Sequence, residues 1–161
     1  MAVTLTQKVK PLLWFQDNAE QAVTFYVSIF PGAEISDVSR YNEAGPGEAG
    51  AVMTMSFTLL GTDFIALNGG DWDGAPNAAF MIDCENQEEV DHYWDRLSEG
   101  GEELPCGWVR DKYGTAWNIV PTVLVELLSD PDRAKAQRVM KAMLEMGKLD
   151  IAALRSAADA V

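Results

Sequence analysis

Alternating apolar and polar positions in the N-terminal half predict a strand, a helix and three further strands. The apolar run Val9–Phe15 predicts the first strand. Apolar residues then recur at helical spacing, after a cap at Asp17 or Asn18 and before a stop at Pro31-Gly32. The further strands are predicted at 35–41, 52–59 and 64–67, and a turn at 60–63 joins the last two.

The same order of elements recurs in the C-terminal half. A strand at 78–84 precedes a helix at 87–98, and a hairpin follows with strands at 106–110 and 116–120. Helix positions of the two halves superpose at one constant offset and hairpin positions at another, and the length difference falls in one segment of the first half. The sequence therefore predicts one α+β domain, 1–161, with tandem βαβββ repeats at 8–70 and 76–122 that form a curled mixed sheet.

Two helices are predicted beyond the repeats, in a C-terminal extension at 129–160. The first covers 134–146 after a cap at Ser129 or Asp130, and the second covers 149–158. Met140, Met143 and Met146 form a stripe on the first helix, which favours core packing or a subunit contact over a cofactor site.

Composition indicates a globular protein, with 48% hydrophobic and 23% charged residues. No apolar run approaches the roughly 20 residues that span a bilayer, and the N-terminus does not have the pattern of a secretion signal. We therefore expect a cytoplasmic protein. The two cysteines, Cys84 and Cys106, are too few for a disulfide framework.

The net charge excludes two classes of partner. Twelve Lys and Arg residues against twenty-five Asp and Glu residues give a net charge of -13. A surface with this charge repels phosphate backbones and anionic membrane faces, so we expect neither nucleic acid nor membrane as a partner.

Several motifs together resemble the PhnB-like branch of the vicinal-oxygen-chelate superfamily, a branch often labelled 3-demethylubiquinone-9 3-methyltransferase-like. The motifs are Leu13-Trp14-Phe15, Ala19-Glu20-Gln21-Ala22 leading to Phe25-Tyr26, Phe64-Ile65-Ala66-Leu67-Asn68-Gly69-Gly70, and Cys106-Gly107-Trp108 with Asp111-Lys112-Tyr113-Gly114. The superfamily includes glyoxalase I, bleomycin-resistance proteins and extradiol dioxygenases. The resemblance implies paired curled sheets that enclose a cleft, and a homodimer. It does not imply one activity.

The resemblance also implies where metal ligands would lie, namely at Pro11, about Ile65, Ala78 and Asn118. The first three have no ligating side chain, whereas first-row metals need three or four His, Cys or carboxylate groups. The single histidine, His92, is predicted on the surface of the second helix. We therefore expect no metal and no cofactor, and neither glyoxalase nor dioxygenase chemistry.

Two further features of the sequence have simple structural explanations. Residues 45–50 match G-x-G-x-x-G, but a strand rather than a helix is predicted after them, so the match does not support a dinucleotide or methyl-donor site. Whether this loop (42–50) acts as a lid stays open. Cys106 is either a reactive thiol or a buried inert one, and the second is favoured because no cation is near it in the sequence.

The predicted cleft contains the candidate ligand-binding residues, and no catalytic residue is assigned. Asp111 and Lys112 are assigned to a hairpin turn. The leading hypothesis is a metal-independent protein that binds an unidentified small molecule as a homodimer. Alternatives are an enzyme that uses the same cleft without the metal, and an interaction protein that uses its C-terminal helices. The candidate residues are Trp14, Asn68, Cys106, Trp108, Arg110 and Asn118.

Overall fold

The computed structural model describes residues 7–73, 78–112 and 115–160. They form two compact units. The first unit runs from Lys10 to Phe80, and the second combines the residues up to Val9 with those from Met81 onwards. The elements in chain order are β1 Val9–Phe15, α1 Ala19–Ile29, β2 Glu34–Arg40, β3 Val52–Leu59, β4 Thr62–Asn68, β5 Ala78–Cys84, α2 Gln87–Ser98, β6 Glu102–Glu103, β7 Trp108–Arg110, β8 Ala116–Pro121, α3 Thr122–Leu128, α4 Arg133–Leu144 and α5 Ile151–Asp159.

The strands of the first unit are arranged in the order β2-β3-β4-β1. β1 pairs with β4 in parallel, and β2, β3 and β4 pair antiparallel, so the sheet is mixed. Helix α1 covers one face, where Ala19 and Val23 pack with Met55, Phe57 and other residues of β3 and β4. Because side chains alternate along a strand, the neighbours of these core residues lie on the opposite face, here called the far face of the first sheet.

The polar positions of β3 lie on this far face. Thr54, Ser56 and Thr58 alternate with the core residues and pair with Leu67, Ile65 and Asp63 of β4. A register shift between Ser39 and Arg40 on the β2 partner leaves Met53 as an extra residue in β3. This shift explains why the alternation in the sequence of β3 is imperfect.

The second unit repeats the topology of the first. Its strands lie in the order β6-β7-β8-β5, and these correspond in turn to β2, β3, β4 and β1 of the first sheet. β7 is antiparallel to both β6 and β8. Helix α2 packs on the face that contains Val109, Trp117 and Ile119. The prediction of an α+β fold with tandem βαβββ repeats is therefore confirmed.

Two helices, α4 and α5, lie within 129–160 as predicted, and a further helix, α3, precedes them. The additional helix, α3, begins directly after Pro121 and was missed because it is only one short apolar stretch. Together α3, α4 and α5 build a core against which Met143 and Met146 pack, and Met140 of α4 is buried. The methionine stripe therefore serves core packing. Asp132, rather than Ser129 or Asp130, caps α4, and Asp150 caps α5.

Two local predictions need correction. Strand β7 begins at Trp108 rather than at Cys106, because Cys106 (φ 61°) and Gly107 (φ 81°) both adopt left-handed backbone conformations that interrupt the strand. The α1 cap also differs: Asn18 occupies the N-cap position without a side-chain bond. The amide of Ala19 is instead satisfied by Asn68, from β4.

No helix in the described part of the chain is long and apolar enough to cross a lipid bilayer.

Candidate functional site

A polar depression of about 320 Å³ lies on the first sheet and is lined by residues from all four of its strands. The lining groups are Lys10 from β1, Ser36 and Asp37 from β2, Ser56, Phe57 and Thr58 from β3, and Asp63 and Phe64 from β4. Phe57 and Phe64 stack with each other at 5.4 Å between ring centroids. Both aromatic residues pack in the core on the α1 side of the sheet. The polar chemistry of the depression therefore comes from the charged and hydroxyl groups.

A cross-strand pair fixes one wall of the depression. Thr58 and Asp63 are register partners at the closed end of the β3–β4 hairpin. The Thr58 hydroxyl donates to Asp63 Oδ1 at 2.8 Å. The hairpin itself closes through Leu60 (φ 47°) and Gly61 (φ 85°), the two left-handed residues of a tight two-residue turn. The carboxylate is thus positioned by local backbone geometry.

A β-bulge in β2 contributes another part of the lining. Ile35 pairs with Phe57 and Asp37 pairs with Ser56, so Ser36 is an extra residue in β2. Successive residues of a regular strand point to opposite faces, but at this bulge both Ser36 and Asp37 line the depression. The Ser36 hydroxyl donates to the carbonyl of Ser56 at 3.2 Å, which holds the bulge against β3.

Lys10 supplies the positive charge. Leu12 pairs with Ile65 in the parallel β1–β4 ladder, which places Lys10, two residues earlier, at the level of Asp63. The depression therefore combines one ammonium group with two carboxylates and three hydroxyl groups.

Two of the predicted ligand residues lie in the first unit, on opposite faces of its sheet. Trp14 shares the face of Leu12; its indole N–H donates to the Gly70 carbonyl at 3.2 Å and its ring lies 5.3 Å from that of Trp72. Gly69 is required there, since an added Cβ would lie 2.1 Å from the Trp14 ring. The structure does not place Asn68 beside Trp14.

Asn68 serves the fold of the first unit. Its Oδ1 accepts from the Ala19 amide at 2.9 Å and its Nδ2 donates to the Val52 carbonyl at 3.1 Å. The side chain therefore links α1, β3 and β4. Binding by Asn68 stays a prediction, although its amide group is committed to the backbone.

The other four predicted residues lie in the second unit. Trp108 and Asn118 are register partners on the face opposite α2, both buried, and Trp117 lies on the α2 side as the alternation predicts. The Asn118 Nδ2 donates to the Cys106 carbonyl at 3.2 Å. Arg110 lies 3.6 Å from Glu102 in an ion pair.

The C-terminal extension holds the turn that contains Cys106. The amides of Cys106 and Gly107 donate to the carbonyls of Met146 and Gly147, each at 2.8 Å. Val120, on the same face of β8 as Asn118, and Met81 of β5 both pack in the core of α3–α5. The extension therefore covers part of the second sheet on the face opposite α2.

Neither cysteine has the environment of a nucleophile. Burial raises the pKa of Cys84 to about 12 and also raises the pKa of Cys106. Because these pKa values are raised, both side chains are thiols at neutral pH, whereas the reactive form is the thiolate. Asp111 is a turn residue as predicted: it accepts from the Thr115 amide and from the Trp117 indole N–H.

The residues at the superfamily's metal positions do not fit a divalent ion. Pro11 lies on the α1 side of β1, between Lys10 and Leu12, and Ile65 offers only an aliphatic group. Within residues 7–73, 78–112 and 115–160, no three His, Cys, Asp or Glu side chains are grouped so as to hold a metal. His92 is exposed on α2, as predicted.

The glycine-rich loop does not have the geometry of a nucleotide site. The loop leads into β3. Backbone hydrogen bonds close it, from the Tyr41 amide to the Ala51 carbonyl and from the Gly50 amide to the Tyr41 carbonyl. A Cβ on Gly47 would lie 2.4 Å from the Tyr41 ring, so that glycine allows the ring to pack. The structure therefore gives this motif no helix N-terminus for an adenosyl donor.

The fold defines the class of protein, an α+β protein with tandem βαβββ repeats. Residues 7–120 match the family described as 3-demethylubiquinone-9 3-methyltransferase. The chain belongs to this family, the PhnB-like family indicated by its motifs. The match ends where α3 begins, so the C-terminal extension lies outside it.

Several solved structures are similar to the chain. A protein from Staphylococcus aureus is 25% identical, with a TM-score of 0.57, over 72% of this chain and 97% of that one. A PhnB protein from Bacillus cereus, described under the same 3-demethylubiquinone-9 3-methyltransferase label, is 33% identical over 71% of this chain and 99% of its own, with a TM-score of 0.36. A glyoxalase/bleomycin resistance protein/dioxygenase superfamily member from Vibrio splendidus is 14% identical over 72% and 99%, with a TM-score of 0.43. Among curated proteins, none matches the chain.

Sequence reasoning missed the polar depression. The signal was present in β3, where Thr54, Ser56 and Thr58 form a polar row, and in Asp63 directly after the turn. The register shift at Ser36 has no such signal, so the position of Asp37 was not predictable from alternation.

Proposed function

We propose that the chain is a small-molecule-binding protein that holds a polar ligand in the depression of the first sheet without using a metal ion. The observation that carries this proposal is the convergence of Lys10, Asp37 and Asp63 with three hydroxyl groups in one cavity of about 320 Å³. A few converging polar groups in a concave surface are typical of ligand sites.

One further observation supports the location of the site, and another supports binding without a metal ion. The corresponding face of the second sheet is partly covered by the chain's own helices at Val120 and Met81. The groups in the depression also do not require an ion, because ammonium, carboxylate and hydroxyl groups bind polar ligands directly.

We also propose that the chain works as a homodimer. Among the large apolar side chains exposed in the first unit, Phe25 (61%) and Ile29 (53%) lie on α1, and Ile35 and Val38 (both 40%) lie on β2. β2 is also an edge strand, and a second copy would cover both features.

The alternative of an enzyme at the same site is supported by the neighbouring Lys10 and Asp63, an amine and a carboxylate that could transfer a proton. The alternative of an interaction protein has weaker support, because the apolar faces of α4 and α5 already pack in the chain's own core.

Mass spectrometry of protein purified under native conditions tests the proposal. The Ser56→Ala, Asp63→Asn double variant should lose a compound that the wild type retains, whereas Thr24→Val, on the exposed side of α1, should keep it. Retention that is unchanged in the double variant would contradict the location. Incubation of the retained compound with fresh protein then separates a binder from an enzyme.

A further inference from the structure

We infer that the depression selects a ligand that carries a positively charged nitrogen beside hydroxyl groups, and that Asp37 determines this specificity. The inference rests on the proposed function, since it concerns the ligand of the same depression.

The charge balance of the depression favours a cation. Two carboxylates, Asp37 and Asp63, face one ammonium group, Lys10, so the lining has a net negative charge. The whole chain has a net charge of -13, which adds a long-range field that attracts cations and repels anions.

The two carboxylates have different surroundings. Asp63 accepts a hydrogen bond from Thr58 and lies at the level of Lys10 on the adjacent strand. Asp37 lies two strands away, on β2, and is exposed. Asp63 is thus partly committed to protein groups, and Asp37 is the carboxylate placed to meet a charge on a ligand.

The bulge explains how an edge strand delivers this carboxylate. In a regular strand Asp37 would lie on the same face as Ile35. The extra residue Ser36 shifts the register, so that Asp37 pairs with Ser56 and both Ser36 and Asp37 line the cavity. The Ser36 and Thr58 hydroxyls donate to protein oxygens, which leaves their own oxygen lone pairs available as acceptors. Acceptors of this kind suit ligand hydroxyl groups and a protonated amine.

Three sugars with the same ring and different charge test this inference. Glucosamine is cationic, glucose is neutral and glucuronate is anionic near neutral pH. Each is titrated into the ¹⁵N-labelled full chain at low ionic strength, and amide shifts are followed at Ser36, Asp37, Ser56 and Asp63. We expect glucosamine to shift these amides at the lowest concentration.

Asp37→Asn should weaken glucosamine binding by about two- to fivefold, the effect of one exposed charge pair, and should leave glucose binding unchanged. Asp17→Asn removes the same charge from an exposed residue outside the depression and should have no effect. Added salt should weaken the binding of glucosamine more than that of glucose.

The outcomes separate the two proposals. Shifts of the same amides by glucose or glucuronate, but not preferentially by glucosamine, would overturn the cation inference and leave the proposed site intact. Binding of glucosamine that is equally strong in Asp37→Asn would overturn the role of Asp37. If none of the three sugars moves these amides, the cation inference fails, and unchanged ligand retention in the Ser56→Ala, Asp63→Asn variant would remove the site as well.

Discussion

Thr58 donates its hydroxyl hydrogen to Asp63 across the tight β3–β4 turn, at 2.8 Å, and this pair forms one wall of the polar depression. The pair is local in sequence but belongs to a site assembled from four strands. Its position depends on the left-handed Leu60 and Gly61, which bring Leu59 opposite Thr62 and so set the register of the hairpin. A turn that is easily identified in the sequence thus positions a carboxylate that the sequence alone does not mark as functional.

We predict that Thr58→Val reduces ligand retention because it removes the hydrogen bond that orients Asp63. Valine keeps the shape and the strand preference, so the free energy of unfolding should fall by only about 0.5–1.5 kcal/mol, the net value of one hydrogen bond. Retention is measured by native mass spectrometry and stability by urea unfolding. Thr24→Val, at an exposed position of α1, is the control. Full retention by the Thr58 variant would contradict the orienting role.

We predict that Asn68→Ala destabilises the chain by about 1–3 kcal/mol, because it leaves the Ala19 amide and the Val52 carbonyl without their side-chain partner. Asn18→Ala is a matched control. Asn18 occupies the N-cap position of α1 but makes no side-chain cap bond, so its loss should have a much smaller effect. Urea denaturation measures the loss of unfolding free energy in each variant. A larger loss in Asn18→Ala than in Asn68→Ala would show that α1 is capped locally.

Asn68, rather than the predicted cap Asn18, satisfies the Ala19 amide at the start of α1. This difference shows where prediction from sequence succeeded and where it did not. The repeat was predictable because apolar periodicity marks each strand and helix, and β1, β3, β5 and α2 have the predicted bounds. The capping partner of Ala19 was not, because Asn68 reaches it from β4 and no local pattern encodes a contact over that separation. The same reason applies to the site: the polar row of β3 is visible in the sequence, whereas the bulge at Ser36 depends on cross-strand pairing. Cys106 was placed in a strand because apolar alternation does not report a left-handed backbone.

Gln87 is predicted to anchor the C-terminal extension to α2. Its Nε2 donates to the Leu149 carbonyl at 3.0 Å and its Oε1 accepts from the Ile151 amide at 2.8 Å, at the start of α5. Gln87→Ala should cost about 1–3 kcal/mol of unfolding free energy, since both backbone groups lose their partner. Hydrogen exchange should quicken at Ile151 and in the first turn of α5.

The matched control for this variant is Gln21→Ala, on the exposed side of α1. It should change neither stability nor exchange in α5. Protection of the Ile151 amide that is unaltered in Gln87→Ala would show that Leu149 and the core of α3–α5 hold the extension without this anchor.

The two cysteines should react slowly with iodoacetamide at neutral pH in the native protein. Burial raises the pKa of both thiols, to about 12 for Cys84, and so lowers the thiolate fraction. Cys106, which is less buried, should be modified before Cys84, and both should react rapidly in urea. Mass spectrometry of the time course gives the order. Modification of native Cys106 as fast as in the unfolded chain would restore it as a candidate nucleophile.

Acid should remove one stabilising contact of the second unit, between Glu89 on α2 and Lys8. The Lys8 ammonium donates to Glu89 Oε1 at 2.6 Å and, together with the Glu85 amide, lowers the pKa of Glu89 below its ordinary 4.5. The folded chain therefore binds this proton less readily than the unfolded chain. The contribution is complete above the unfolded pKa and is lost as the pH falls through the lower folded pKa.

Glu89→Gln should consequently reduce the free energy of unfolding near neutral pH by less than about 1 kcal/mol, because the pair is only partly buried and is screened by solvent. The difference between wild type and variant should shrink as the pH falls below 4.5. Glu88→Gln, exposed on the same turn of α2, is the matched control that removes one carboxylate without removing the contact with Lys8. Urea unfolding of the three proteins at a series of pH values measures this, and a difference that stays constant into acid would mean that Glu89 acts through packing rather than through its charge.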